Sequence, residues 1–157
     1  MMFRGFYPVV WAQNKPATDV YRQYYNTYIQ RDIFQVMNIR RLNEFRKFLV
    51  ISASRIGCEF NAQSIANELG VSLPTIQDWM NVLEATYVAF RINPFYRNIG
   101  KRLVKTPKFY FYDVGLVCYL LGIKTAQQLE THPLRCQIFE NMVIGELVKH
   151  QFNHGMD

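Results

Sequence analysis

The stretch that most constrains the fold runs from Asn61 to Ala85 and reads as two short helices joined by a tight turn. Gly70 stands where a chain leaving a helix favours a left-handed residue. Ser72 can cap the second helix, and Pro74 falls in its first turn, where a missing N–H is tolerated. Apolar residues recur at helical spacing on both sides of the turn, at Ile65, Ala66, Leu69, Ile76, Trp79, Met80 and Leu83. The pattern indicates a helix-turn-helix, with an ordinary helical hairpin as the alternative.

A further helix and two strands are predicted around this stretch. The helix spans about residues 41–55 and ends at Gly57; its expected buried face is Leu42, Phe45, Phe48, Leu49, Ser52 and Ala53. Residues 87–95 and 108–112 are rich in β-forming side chains, which predicts two strands. Two strands joined by a loop after the second helix form a wing, so residues 40–112 are predicted to be a winged helix-turn-helix.

Helical segments are predicted on both sides of this unit. Residues 1–39 are a helical lead-in, of which residues 1–16 are expected to be loop-like. Its helix begins near Thr18 or Asp19 and carries a tyrosine stripe, a pattern that is usually core. We expect this stripe to dock on later helices or to have belonged to a preceding domain. Residues 113–157 hold a short helix capped by Asp113 and a long helix over about 134–152. The expected buried stripe of the long helix is Ile138, Phe139, Met142, Val143, Leu147 and Phe152. The expected fold class is mainly α with a small β wing, flanked by N-terminal and C-terminal helices.

Composition narrows the class of protein. Half of the 157 residues are hydrophobic and 15% are aromatic, which is enough for a core. No apolar run reaches the ~20 residues that span a bilayer, so no membrane partner is expected. Three widely spaced cysteines, Cys58, Cys118 and Cys136, favour reduced thiols and a cytoplasmic location. The net charge of +6 favours acidic partners, nucleic acid among them.

The predicted wing holds the most marked charge pattern. Residues 85–112 contain no Asp or Glu but six cations, Arg91, Arg97, Lys101, Arg102, Lys105 and Lys108. Clustered cations displace condensed counterions from double-stranded DNA. We expect Arg97, Lys101, Arg102 and Lys105 to contact phosphates. The alternatives are a solvated basic loop and a loop that meets an acidic protein face.

The second helix of the helix-turn-helix argues against sequence-specific reading. It has no Lys or Arg between Ser72 and Glu84 and carries Asp78 instead. Gln77 and Asn81 are the weaker candidates for contacts with base edges, since Gln and Asn suit adenine.

No residue pattern indicates catalysis or a cofactor. Glu146, His150 and His154 share a helix face at four-residue spacing, but a polar outer face explains them better than zinc, so no metal site is predicted. Glu140 and Glu146, six residues apart, do not share a face and read as surface charges. The chain has neither a GxxxxGK[ST] phosphate loop nor a GxSxG or HExxH motif.

Four segments in one order carry a family resemblance. They are YNTYIQRDI, GVSLPTIQDWMNVLEATYVAF, NIGKRLVKTPKFYFYDVGLVCYLLGI and FENMVIGELVK. Together they resemble the C-terminal region, a domain of unknown function, of a large group of predicted prokaryotic AAA-type P-loop ATPases. The resemblance covers about residues 5–149, and the GKRLVK-P-K-YF-D-GL run is its most specific part.

The resemblance implies an ATPase core upstream, with the GFYP-like start lying just after its lid, and a winged helix in the middle. It also implies that the FEN-x-V-x-x-EL helix begins a restriction-endonuclease-like part, in which Glu140 matches a family position. The strands that carry the remaining nuclease residues would follow Asp157, so the chain is expected to be a fragment or remnant.

Three hypotheses follow for the function. The favoured one is a non-catalytic accessory module of an AAA-type ATPase, which contacts double-stranded DNA through its wing or docks on a protein such as the ATPase domain. A free-standing winged-helix transcription regulator would instead be a dimer with half-sites about one helical turn apart. A remnant of a metal-dependent nuclease would cleave DNA with a divalent metal.

Overall fold

The computed structural model describes residues 1–33, 41–94 and 106–155, apart from the side chains of residues 30–32. The elements are α1 (Pro8–Ala12), α2 (Ala17–Tyr24), a π-helix (Tyr25–Ile33), α3 (Leu42–Ser54), α4 (Ala62–Leu69), α5 (Leu73–Ala85), β1 (Ala89–Ile92), β2 (Lys108–Phe111), α6 (Val114–Leu120), α7 (Ala126–Glu130) and α8 (Arg135–Asn153). This confirms the predicted class, mainly α with a small antiparallel sheet. The start of the chain was expected to be loop-like, but it holds the short helix α1.

The α4–α5 pair forms as its turn residues predict. Gly70 adopts φ 65°, and the Val71 N–H behind it donates to the Ala66 carbonyl at 3.1 Å. Ser72 caps α5 by accepting a hydrogen bond from the Thr75 N–H at 3.3 Å. Ala66 is only 1% exposed. A small side chain therefore lies where the two helices pack together.

The core is built around α3 and α5. Trp79 packs edge-on against Phe45, with 5.3 Å between ring centroids, and against Phe48 at 5.5 Å. All three rings are buried. The predicted buried face of α3 is confirmed except at Leu42, the first residue of the helix, which is 37% exposed.

The sheet is a short hairpin whose second strand has neighbours on both edges. β1 pairs antiparallel with β2 from Ala89↔Phe111 to Ile92↔Lys108, so β1 is shorter than predicted. On the other edge of β2, Phe109 exchanges backbone hydrogen bonds with Gly57 and Cys58, at 2.8 and 3.1 Å. The segment after α3 therefore lies along the edge of β2 like a short third strand.

The N-terminal segment is joined to α6 through Asp113. One oxygen of that carboxylate accepts from the Tyr21 hydroxyl at 2.8 Å and from the Gly115 N–H at 2.7 Å; the other accepts from the Phe6 N–H at 2.9 Å. A Cβ at Gly115 would clash with the buried Tyr21 ring. The predicted Asp113 cap is confirmed, and α2 docks on a later helix as expected.

The predicted burial of the last helix is wrong at four of its six positions. Ile138 is buried and Met142 is partly buried, but the other four members of the expected stripe are exposed. Asn141 and Gly145 are buried instead. The reason is that α8 docks through polar contacts to the edge of β2, which turns its most apolar side outward.

Candidate nucleic-acid interface and the surfaces around it

The hairpin β1–β2 follows α5 directly, and its connection holds the predicted phosphate contacts. Arg97, Lys101, Arg102 and Lys105 lie within residues 95–105, outside the described part of the chain. The backbone on either side is fixed by the pairing of Ile92 with Lys108. The four cations therefore stand in the sequence between the paired residues Ile92 and Lys108.

Arg91, the cation on β1, is held by the end of α5. Its Nε donates to Glu84 Oε1 at 2.8 Å, and Nη2 donates to Glu84 Oε2 at 2.5 Å. Nη2 also donates to the Asn81 side-chain oxygen at 3.3 Å. A two-pronged ion pair of this kind fixes the guanidinium firmly. The Arg91 guanidinium is thus already paired within the protein, so Arg91 is a poor candidate for phosphate contact.

Gln77 and Asn81 both lie on the exposed side of α5, four residues apart, as a pair of base-contacting side chains would. Asp78 is exposed beside them. The Asn81 oxygen already accepts one hydrogen bond from Arg91, and a second lone pair of that oxygen and the amide N–H₂ group remain as its further hydrogen-bonding capacity. The surface of α5 therefore offers hydrogen-bonding groups but no positive charge.

Lys108, the cation on β2, is held by α8. Its Nζ lies 3.1 Å from Glu140 Oε1, and the same oxygen accepts from the Tyr110 hydroxyl at 2.7 Å. The hydrogen bond from Tyr110, reinforced by Lys108, lowers the pKa of Glu140. Glu140 is therefore more than a surface charge, because it joins α8 to the sheet.

Asn141 makes the second polar link between α8 and the sheet. Its side-chain oxygen accepts from the Phe111 N–H at 2.8 Å, and its nitrogen donates to the Phe111 carbonyl at 2.7 Å. Both Phe111 groups lie on the edge of β2 where Phe109 pairs with Gly57 and Cys58. The Asn141 amide thus extends the row of backbone hydrogen bonds along this edge of β2, in the way that one more backbone residue would.

The histidines of α8 make local contacts. The rings of His150 and His154 stack with 4.1 Å between centroids, and His154 Nδ1 lies 2.8 Å from the His150 carbonyl oxygen. Glu146 pairs with Lys149 at 2.6 Å. Within residues 1–33, 41–94 and 106–155, no group of three His, Cys, Asp or Glu side chains is arranged to hold a metal ion.

The outward face of α8 is apolar and has no partner in the described part of the chain. Phe139, Val143 and Leu147 follow one another at four-residue steps and are 55%, 40% and 57% exposed. Monomeric proteins rarely leave a continuous apolar stripe uncovered, and such stripes mark contact surfaces.

Sequence reasoning missed a cleft lined by tyrosines. The tyrosines of α2 and the π-helix were interpreted as a core stripe, but Tyr24 and Tyr28 are only partly buried and form one wall of the cleft. Tyr87, at the end of α5, lies on the other side and is 70% exposed. The sequence held one signal for this cleft. Tyr87 stands just after α5, at a position where a glycine is expected.

Among the helices described, none is both long and apolar enough to pass through a bilayer.

Comparison with known proteins identifies one family model and two relatives in mycobacteria. A family model described as "Domain of unknown function (DUF8612)" matches residues 1–127, which ends before α8. The chain is 28% identical over 144 residues to "Uncharacterized protein Rv2008c" of Mycobacterium tuberculosis and, equally, to "Uncharacterized protein Mb2031c" of Mycobacterium bovis. The match covers 91% of this chain and 33% of either relative, so the chain spans about a third of their length. No solved structure matches it.

Proposed function

The chain belongs to the DUF8612 family of domains of unknown function, and from that premise we propose that it is a non-catalytic accessory module of an AAA-type ATPase that contacts the DNA backbone through its wing. The longer relatives leave room for a separate ATPase part, as the resemblance to ATPase C-terminal regions implies.

The observation that carries the proposal is the place of the basic segment. A two-stranded hairpin directly follows the α4–α5 pair, which is the element order of a winged helix. The sequence of its connection contains Arg97, Lys101, Arg102 and Lys105, and no acidic residue stands between Ala85 and Tyr112. Cations grouped in this way contact phosphates without reading sequence.

The ion pairs of Arg91 and Lys108 change the salt dependence that is expected for DNA binding. Of the six wing cations, Arg91 is neutralised by Glu84 and Lys108 by Glu140. If the other four cations contact phosphates, log K against log salt concentration should have a slope of about −4. All six would give a steeper slope, of about −5. The slope therefore reports whether the two ion pairs survive binding.

Base reading contributes little to the proposed contact. Gln77 and Asn81 are exposed, but Asp78 is exposed with them and no cation accompanies them on α5. Binding is thus expected to depend weakly on DNA sequence, because phosphate contacts position a protein and base contacts specify.

Fluorescence anisotropy with a labelled random DNA duplex, over a salt series, tests the proposal. We expect binding that weakens steeply with salt and is lost when Lys101, Arg102 and Lys105 are all changed to Glu. A matched control changes three exposed cations outside the wing, Lys47, Lys124 and Arg135, to Glu. The control alters the net charge equally, so equal loss in both variants would reject the wing as the contact.

A second candidate function is docking on the ATPase part itself, and the apolar face of α8 favours it. Phe139, Val143 and Leu147 form a stripe that another protein surface can cover. A photo-crosslinking residue in place of Leu147, introduced in the source cells, should attach to a polypeptide with a P-loop. The same residue in place of the exposed Val50 on α3 should not. Equal crosslinking at both positions would reject docking through α8.

A further inference from the structure

Two adjoining cavities, of about 640 and 390 Å³, form one cleft between the N-terminal segment and the end of α5. Tyr7, Tyr24 and Tyr87 line both cavities. Tyr28 extends the wall at one end, and Tyr112 lines the other end. The exposed fractions of Tyr7 and Tyr87, 37% and 70%, show that solvent reaches the cleft.

The rings are arranged as two facing walls. On one wall Tyr7 and Tyr24 have centroids 5.3 Å apart, and Tyr24 stacks on Tyr28 at the same distance. On the other, Tyr87 contacts Tyr112 at 5.8 Å. Rings that pack on one another keep fixed positions, so the cleft is largely formed before a ligand arrives.

The hydroxyls along these walls are mostly free to donate. The Tyr28 hydroxyl donates to the Thr86 carbonyl at 3.2 Å. Those of Tyr7, Tyr24, Tyr87 and Tyr112 have no hydrogen-bond partner in the described part of the chain. Burial raises the pKa of both Tyr24 and Tyr112, which keeps these groups protonated. The cleft therefore presents hydrogen-bond donors above an apolar surface.

The backbone of Tyr87 is in an unfavourable conformation. It adopts φ 54°, a left-handed conformation that is unfavourable for a bulky side chain. The Tyr87 N–H donates to the Glu84 carbonyl at 3.1 Å, and the Val88 N–H donates to the Leu83 carbonyl at 2.9 Å. This is the helix ending in which glycine is preferred. A large, exposed ring at a glycine position suggests a use beyond packing.

The charged groups that line the cleft already have partners within the protein. Glu146 and Lys149 pair with each other at 2.6 Å, and Lys149 Nζ also lies 4.9 Å from the centroid of the Phe6 ring. Asp113 already accepts three hydrogen bonds. A ligand for these walls therefore needs apolar surface and hydrogen-bond acceptors but no net charge.

We propose that the tyrosine cleft binds a proline-rich peptide in the polyproline II conformation. Such a segment has an apolar ring surface and no internal hydrogen bonds, and its proline residues carry carbonyl acceptors but no N–H donors. These properties complement a wall of tyrosine rings with free hydroxyls, and aromatic-lined grooves recognise this conformation. The cleft lies beside the Ala89–Phe111 end of the sheet, whereas the wing connection leaves the sheet at the Ile92–Lys108 end. The proposal therefore does not depend on DNA contact.

Titration of the whole chain with an oligoproline of roughly ten residues, followed by changes in amide and tyrosine NMR signals, tests the proposal. We expect saturable shifts at Tyr7, Tyr24, Tyr87 and their neighbours. A glycine–serine peptide of the same length should give none. If oligothymidylate binds the cleft and oligoproline does not, the site is a base-stacking surface and the proposal is overturned.

Two variants separate recognition from folding. Tyr87→Asn removes the ring but suits the left-handed backbone, so the variant should keep its fold and bind oligoproline at least about tenfold more weakly. Tyr24→Phe keeps the ring and removes one donor, so it should weaken binding a few-fold. Phe139→Ala, which removes an exposed ring outside the cleft, should leave binding unchanged. Unchanged affinity in Tyr87→Asn would overturn the proposal.

Discussion

The helices α5 and α8 are held in the molecule by different forces. α5 has 13 residues and buries Ile76, Trp79, Met80, Val82 and Leu83. α8 has 19 residues and buries Ile138, Asn141 and Gly145. The longer helix thus contributes less apolar surface to the core and is attached through Glu140 and Asn141 instead. The comparison teaches that an apolar helix pattern does not by itself say which side of the helix is inside.

The strongest test of this contrast removes one large ring from each helix. Trp79→Ala should lower the free energy of unfolding by about 3–5 kcal/mol, because it leaves a cavity between Phe45 and Phe48. Phe139→Ala should change it by less than about 0.5 kcal/mol, since that ring is 55% exposed. Urea unfolding monitored by circular dichroism measures both. Similar losses in the two variants would contradict the assignment of core and surface.

Asn141→Ala tests the polar attachment of α8. The change leaves the Phe111 N–H and carbonyl without their partner in a buried place, so we expect a loss of about 2–4 kcal/mol in unfolding free energy. Hydrogen exchange should also become faster along α8. Gln151→Ala, an exposed polar change on the same helix, serves as the control and should have little effect.

Gly145→Ala should stabilise the protein by about 0.5–1 kcal/mol, because alanine favours a helix interior over glycine. The added Cβ would lie 3.6 Å from the Tyr112 carbonyl oxygen and 3.7 Å from that of Phe111, which is ordinary contact. Thermal unfolding measures the shift. A lower midpoint would mean that α8 packs on the sheet more tightly than these distances indicate.

Glu140→Gln should have the smallest effect and a defined pH dependence. Because the folded pKa of Glu140 is lowered, its stabilisation is complete above the unfolded carboxyl pKa and is lost as pH falls through the folded pKa. Its side chain is 42% exposed, so we expect only about 0.5 kcal/mol at pH 7. The difference from the unmodified chain should vanish in acid. A difference that grew in acid would contradict the ion pair.

The sequence predicted the fold best where local signals and burial agree. Gly70, Ser72 and Pro74 set the turn between α4 and α5, and the apolar residues of α5 lie on the side that is buried. In α8 the helix itself was predicted correctly, but its orientation was not. Asn141 decides that orientation through two hydrogen bonds to Phe111, and Gly145 through its lack of a side chain; neither contributes to a hydrophobic pattern.

The candidate sites were predictable only in part. The exposed positions of Gln77 and Asn81 follow from helix periodicity, whereas the pairing of Arg91 with Glu84 depends on how β1 folds back against α5. The tyrosine cleft depends on the fold placing Tyr7, Tyr24 and Tyr87 around the same cavities, although these residues lie far apart in the chain. Local sequence patterns carry no information about such pairs.

The hydrogen bond from the Phe6 N–H to Asp113 has a consequence for the order of folding, because it joins residues 107 positions apart. Closing a flexible loop of that length costs roughly 4 kcal/mol in chain entropy. Contacts between neighbouring elements, such as α4 with α5, close far shorter loops and can form first. The N-terminal segment is therefore expected to attach last, on a body that already holds Asp113 in place, and to detach first when the protein is destabilised.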